Sequence, residues 1–323
     1  MLDDLGIVVI GRNEGERLKT CFGSLPNGVP VVYVDSGSTD GSPEWAEAQG
    51  AEVVRLSTDR PFSAARARNE GSERLVQLHP DTSYVQFIDG DCELLDGWLE
   101  TGLAALRANE KLAAVAGLRR ERYPGKSWYN ELCAYEWDTP IGRADAIGGD
   151  AIYRVEALTK AGLFDPMMMA GEEPELCLRL RRLGYEIERL DADMTLHDAA
   201  IESFGAWWKR AVRSGYAYTL GMLKHGRDGY NVREVIRALV WGGLYPLLVF
   251  LTLVFGPRVV AFGLIAFGIL KWWRVTRRVG ARYRNPGKYA AFMMLTNVAE
   301  VRGIIRALVE TAKGERRIVE YKG

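Results

Sequence analysis

Two carboxylates separated by one glycine, Asp89-Gly90-Asp91, follow the apolar run YVQFI. A pair spaced this way at a strand end offers the oxygen donors that Mg²⁺ or Mn²⁺ prefers, and those ions bridge diphosphates. The same tripeptide also makes ordinary turns. Further on, Gly171-Glu172-Glu173-Pro174 opens a helical pattern. Carboxylates at a helix start are stabilised by free N–H groups and the helix dipole, so they read as caps. In a cleft, either one can instead act as a general base that takes a proton from a hydroxyl. His197, one of three histidines, stands in DMTLHD, where it is either a structural imidazole or a metal ligand. Asp35 follows VVYV and begins DSGSTDGS. There it either accepts from the N–H of a nucleobase or shapes a loop that Ser42 ends as a helix cap. Arg66 and Arg68 are two apart and cannot share a helix face, so at most one should reach a diphosphate. Arg68, beside Asn69, is the choice.

The elements that must carry these groups alternate. Residues 6–10 (GIVVI), 31–34 (VVYV), 52–56 (EVVRL) and 84–88 (YVQFI) read as strands. Residues 14–25, 43–49 and 63–78 read as helices, the second announced by Ser42 then Pro43. Strands joined by crossover helices imply a mostly parallel sheet with ligands at its carboxyl edge. The polar turns GRNEG, DSGSTDGS and DGD fall there. The middle is less regular: 128–138 is aromatic and polar, Gly148-Gly149 interrupts a strand pattern, and 155–161 reads as a short helix ended by Gly162. A stronger helix spans 174–183, with Leu176, Leu180 and Leu183 on one face. Residues 204–223 are amphipathic and rich in Trp and Tyr.

Then the composition shifts. Residues 238–256 carry no charge, and 259–270 form a second apolar run before Lys271-Trp272-Trp273. The first run makes about 28 Å of helix, close to the hydrocarbon thickness of a bilayer. With Trp272 and Trp273 at the interface, the pair predicts a helical hairpin over about 238–273. Basic residues flank both ends and only Arg258 marks the tip, which places both ends in the cytosol. The boundary predicted is a catalytic domain over 1–225, ending in an amphipathic interfacial helix. A basic membrane-attachment region follows over 226–323, with the hairpin and a cytosolic C-terminal helix.

The chain has 323 residues, 48% hydrophobic and 26% charged, which excludes a disordered or collagen-like chain. Its formal charge of +0 hides a split, because residues 226–323 hold 17 Lys/Arg against 6 Asp/Glu. The acidic front suits a metal, and the basic back suits an anionic membrane surface better than a nucleic acid, given the adjoining uncharged run. Cys21, Cys92, Cys133 and Cys177 show no C-x-x-C or zinc spacing and read as reduced thiols. MLDDLGIVVIG has no basic n-region or cleavage site, so no secretory signal is expected.

Taken in order, IVVIGRNEG, VDSGSTDGS, ARARNEG, FIDGDC, IGGDAIYR and GEEPELCLRLRRLGY resemble the family-2 glycosyltransferases, from about Gly6 to His197. The resemblance implies a GT-A fold: an α/β, mixed but mainly parallel sheet with flanking helices, here with the membrane hairpin added. It also implies roles. Arg12, Asn13 and Glu14 would line the nucleotide pocket, Asp35 would bond the base, and Arg68 would lie near the base or diphosphate. Asp89 would face ribose and metal, Asp91 would ligate the metal, and His197 would complete its shell. The family's Glu-Asp pair stands here as Glu172-Glu173, so Glu173 takes the place of the catalytic base, one methylene longer. Gly149, with Gly148, would border the donor sugar and acceptor, with Asp150 nearby. Ser36 stands where many members have a second Asp.

The expected function is an inverting, metal-dependent glycosyl transfer. The donor is a nucleotide-diphosphate sugar, Mg²⁺ or Mn²⁺ is the cofactor, and the acceptor is a hydroxyl, such as a polyprenyl-linked glycan or polysaccharide. The expected place is the cytosolic face of the inner membrane, with membrane lipid as a partner and no nucleic acid. A sugar-nucleotide nucleotidyltransferase and a non-catalytic membrane scaffold remain alternatives. GRNEGER is a poor match to the glycine-rich phosphate loop of the first.

Overall fold

The computed structural model describes residues 2–314. The end of the basic region, 315–323, lies outside the described residues. The chain divides into two compact units, one running to Ala200 and one from Ile201.

In the first unit strands and helices alternate as the apolar runs require. They are β1 (Leu5–Gly11), α1 (Glu16–Gly23), β2 (Val31–Asp35), α2 (Ser42–Ala48), β3 (Glu52–Arg55), α3 (Ala64–Leu78), β4 (Tyr84–Asp89) and β5 (Cys92–Leu94). Then come α4 (Trp98–Ala108), β6 (Leu112–Glu121), α5 (Trp128–Trp137), β7 (Gly142–Arg143), β8 (Ala151–Arg154), α6 (Val155–Lys160), α7 (Glu172–Arg182) and β9 (Glu186–His197). Among the described residues they build one nine-stranded sheet, ordered β3-β2-β1-β4-β8-β6-β9-β5, with β7 beside β9. β1 through β4 are parallel. β8 runs antiparallel to both β4 and β6. β9 is parallel to β6, and β5 is antiparallel to β9. These directions bring the carboxyl ends of β1, β2, β4, β6 and β9 to one rim, together with the amino ends of β5 and β8.

The central strands are apolar on both faces: Ile7, Val8, Val9, Val32, Val34, Val85, Phe87 and Ile88 are all buried. That is the pattern of a parallel sheet covered on both sides. Each such side chain contributes about 1.5–3 kcal/mol by leaving water. Gly71 lets α3 settle on the sheet, since a Cβ there would stand 2.5 Å from Val8 Cγ1 and 2.7 Å from Val34 Cγ2. Gln86 lies buried in β4 and accepts from Trp98 Nε1 at 2.8 Å, which anchors α4.

Element boundaries differ from the sequence reading in two informative places. The first helix starts at Glu16, not near residue 14, because Asn13 and Gly15 both have φ of 53° and cannot join a right-handed helix. The helix expected over 174–183 starts at Glu172, two residues early. Gly171 supplies the left-handed turn (φ 77°) before it, and Pro174 is accommodated in the first turn, where a missing N–H costs nothing. Glu172 and Glu173 are therefore part of the helix, not ahead of it.

The second unit is helical: α8 (Phe204–His225), α9 (Val232–Ala238), α10 (Tyr245–Val254), α11 (Arg258–Val279) and α12 (Pro286–Ala312), with a π-turn over Leu239–Leu244 joining α9 to α10. α8, the aromatic helix expected to end the catalytic domain, falls in this unit. It crosses α12 closely, because Cβ atoms on Gly215 and Gly303 would stand 2.1 Å from Glu300 O and 2.0 Å from Val212 O. Small residues at both crossings let the two backbones meet. Two segments, Val232–Val254 and Arg258–Val279, are long and apolar enough to cross a membrane by length and composition. They lie largely outside any core, and Phe250, Phe255, Val259 and Phe262 are exposed.

Candidate active site

The rim of the sheet collects acidic groups from distant parts of the chain. Asp89 closes β4 and Asp91 follows in the turn to β5. β5 pairs with β9 so that Cys92 lies opposite His197, which brings the imidazole beside the tripeptide. Nε2 of His197 is 3.4 Å from Asp91 Oδ1. Asp89, Asp91, Cys92 and His197 each place a donor atom within 4.8 Å of one another.

This donor set fits a divalent cation. Two carboxylates and an imidazole are ligands that Mn²⁺ accepts, and the carboxylates suit Mg²⁺. Burial lowers the His197 pKa more than Asp91 raises it, so the ring stays neutral with a lone pair available. Its buried Nδ1 has no hydrogen-bond partner among the described residues. The Cys92 thiol is held protonated by burial and by the Asp150 carboxylate.

Arg68, fully buried on α3, ties this cluster to the helix start at α7. Its Nη2 is 3.0 Å from Asp89 Oδ1, and its Nη1 is 3.0 Å from Glu172 Oε1 and 3.2 Å from Glu173 Oε1. Glu172 is buried, whereas Glu173 keeps 17% of its side chain exposed. Burial and the adjacent Glu172 carboxylate push the Glu173 carboxyl up to about 7, against the opposing pull of Arg68. Gly149 packs tightly here: a Cβ would stand 2.0 Å from Arg68 Nη2 and 3.0 Å from Glu173 Oε1, so the guanidinium would have to shift.

Arg66, the alternative weighed against Arg68, is buried elsewhere. It binds Glu70 at 2.7 Å and donates to the carbonyls of Ser57 and Arg60. Both arginines are thus engaged on different faces of one helix, as spacing of two requires.

The expected nucleotide-side residues lie along the ends of β1 and β2. Asp35 is buried. Its Oδ2 accepts from the N–H groups of Gly37 and Ser38 at 2.9 Å, and its Oδ1 from the Tyr33 hydroxyl at 3.3 Å. Asn13 locks the same loop: its N–H donates to Ser38 Oγ at 2.9 Å and its Oδ1 accepts from Thr39 N–H at 2.8 Å. The Arg12 guanidinium lies over the Phe62 ring at 5.7 Å. Glu14 is buried, paired with Arg17 at 2.8 Å, and its Cγ approaches Gly90 of the acidic turn.

Several neighbours of the cluster had no signal in the sequence. Arg119 on β6 pairs with Asp150 at 2.8 Å and lies 5.5 Å from the Trp137 ring centre. Trp137 in turn packs its ring edge to face with His197. Thr195 points at the same Asp150. Arg119 opens the polar run RRER and Trp137 ends an aromatic, polar stretch, so neither is singled out by type, and Thr195 lies within a strand; tertiary packing brings them to the rim.

Residues 6–161 match the model of the glycosyl transferase family 2. The match covers just under half of the chain, which resembles that family over its first unit. A pre-mycofactocin glycosyltransferase of Mycobacterium tuberculosis is 27% identical over 209 residues, covering 60% of this chain and 43% of the relative. The succinoglycan biosynthesis protein ExoA of Rhizobium meliloti is 26% identical over 230 residues, covering 63% and 66%. The chain spans less than half the length of the mycobacterial relative. Among solved structures, a mannosyltransferase from Pyrobaculum calidifontis in complex with GDP-Man and Mn²⁺ superposes with a TM-score of 0.63 at 18% identity, over 94% of this chain and 87% of that one. The likeness shows a shared GT-A fold.

Proposed function

We propose that this chain transfers a sugar from a nucleotide-diphosphate donor to a hydroxyl acceptor, with inversion at the anomeric carbon. One observation carries the reading. A single buried guanidinium, Arg68, joins the strand-end carboxylate Asp89 to Glu172 and Glu173 at the start of α7. A carboxylate turn fit for a metal diphosphate and a base held near neutrality thus meet in one place.

In this reading Glu173 takes the proton of the acceptor hydroxyl as its oxygen bonds to the anomeric carbon and the nucleoside diphosphate leaves. Its exposed fraction and its pKa near 7 suit a general base at neutral pH. No second base is needed, since no covalent sugar–enzyme step occurs. Arg68 orients Glu173, and Gly149 leaves room for the guanidinium beneath the sugar. Asp89, Asp91 and His197 would hold Mg²⁺ or Mn²⁺, which when bound neutralises charge on the leaving diphosphate. Arg12, Asn13, Glu14 and Asp35 form the nucleotide end.

The acceptor is a lipid-linked glycan or polysaccharide at the cytosolic face of the inner membrane. The two apolar, outward-facing helices and the basic residues around them support this location. The rhizobial relative's name, a polysaccharide biosynthesis protein, points to the same acceptor class, and the mannosyltransferase's GDP-Man and Mn²⁺ to the donor and the metal.

The test is release of free nucleoside diphosphate. The full chain in detergent is given a panel of nucleotide sugars with Mn²⁺, with and without a polyprenyl-linked acceptor, and the product anomer is read by NMR. Release of inorganic diphosphate would favour the nucleotidyltransferase alternative. Metal-dependent donor binding with no turnover on any acceptor would favour the scaffold. Carbonate extraction tests the membrane, and recovery in the soluble fraction removes it from the proposal.

A further inference from the structure

Asp150 is fully buried and lies immediately before β8, at the rim. A buried carboxylate is tolerated only where its charge and lone pairs are satisfied. Here every partner comes from a different element of the candidate metal site. Oδ1 accepts from the backbone N–H of Asp89 at 3.1 Å. Oδ2 accepts from the Thr195 hydroxyl at 3.0 Å and the Cys92 thiol at 3.2 Å, and pairs with Arg119 at 2.8 Å. Thr195 is two residues before His197 on β9, so both side chains leave the strand on the same face.

We propose that Asp150 is a positioning residue, a strut that sets the acidic turn of β4 against the histidine strand β9. The inference rests on the metal reading of Asp89, Asp91 and His197. The two donor elements touch through the short pairing of β5 with β9, three residues long. The Asp198 N–H also meets the Asp91 carbonyl at 3.4 Å, and Asp150 adds a further tie that grips the backbone of Asp89 itself. The groups around it, the Asp89 N–H, the Thr195 hydroxyl, the Cys92 thiol and the Arg119 guanidinium, all donate. Arg119 supplies the counter-charge, and its guanidinium is held in place by Trp137, which also contacts His197. Loss of an outer partner of this kind typically costs about 10–100-fold in metal affinity.

Asp150→Asn keeps the shape but turns one acceptor into a donor facing donors. Thr195→Val is milder, removing the hydroxyl that links Asp150 to β9 while leaving the carboxylate in place. The measurement is the Kd for Mn²⁺ alone, read from the EPR signal of free ion over the full-length chain in detergent, alongside the melting temperature in EDTA. The expected result is a rise in Kd of about 10–100-fold for Asp150→Asn and a smaller rise for Thr195→Val, which still melts at the wild-type temperature in EDTA. Thr195→Val decides the matter if Asp150→Asn does not fold. Wild-type Mn²⁺ affinity in Thr195→Val and in any folded Asp150→Asn overturns the strut. So does a Kd that rises only in step with a falling melting temperature. Absence of Mn²⁺ binding by the wild type would instead remove the metal reading on which the strut rests.

Discussion

Charge is buried in both units of this protein, but in different proportion. In the C-terminal helices Arg237 meets Glu300 with one guanidinium nitrogen on both oxygens, at 2.9 and 2.8 Å. At the sheet rim, Arg68 and Arg119 face Asp89, Asp150, Glu172 and Glu173, with Asp91 beside a neutral His197. Anions outnumber cations there. Crowded carboxylates in low dielectric resist ionisation, and Glu173 records it with a carboxyl near 7. A matched pair is a brace between helices. The crowding of carboxylates at the rim is what the proposed metal site would need.

The contrast can be broken at its base. Glu173→Gln removes the proton acceptor with almost no change in shape. Turnover should fall by about 10²–10⁴ while nucleotide affinity is kept, as measured by steady-state release of nucleoside diphosphate and by calorimetry. Full activity would move the base to Glu172. Next in size is Arg68→Met. It leaves three carboxylates without their shared counter-charge, and the loss of a buried partner costs about 3–5 kcal/mol in chemical denaturation. Arg237→Met should cost less, since 37% of the Arg237 side chain already faces solvent. Equal losses would cancel the distinction drawn between the two regions.

The pH dependence follows from the sign of the Glu173 shift. Its folded pKa is raised from 4.5 to about 7. The folded state therefore binds the extra proton between those values, and stability falls as pH rises through that window. The drop amounts to about 3 kcal/mol at most. Glu173→Gln should flatten this part of the stability curve, and it should also abolish an acidic limb near pH 7 in kcat/KM. A limb that survives the substitution belongs to another group. The smallest effect concerns the metal side. Asp91→Asn should weaken Mn²⁺-dependent nucleotide binding at least as much as the roughly 10–100-fold cost of losing an outer-shell partner. Affinity in EDTA should be untouched.

Much of the architecture was legible because it is written in local patterns. The four leading strands and their crossover helices follow from apolar runs broken by glycine-rich turns, and the order of strands puts the turns GRNEG, DSGSTDGS and DGD at one edge. The two apolar C-terminal helices were legible from length and lack of charge. The boundaries of α1 and α7 were not. They depend on left-handed backbone at Asn13, Gly15 and Gly171, which side-chain periodicity does not record. The placement of α8 was also hidden, since an amphipathic helix shows that it has a buried face but not which neighbour covers it.

Residue types and spacing marked Asp89, Asp91, His197, Glu172 and Glu173 as candidates and favoured Arg68 over Arg66, and the family resemblance supplied the roles expected of them. Asp89, Asp91, Glu172 and Glu173 stand at a strand end, a turn or a helix start, where a polar side chain has a chemical reason to be. Tertiary structure alone decided that Arg68 is shared among three carboxylates, that Gly149 packs tightly against its guanidinium, and that Asp150, Arg119 and Thr195 converge beneath the site. Those facts arise from strands adjacent in space but remote in sequence. An antiparallel β8 between β4 and β6 carries Asp150 to the rim, and pairing across strands leaves no periodic trace in any one of them.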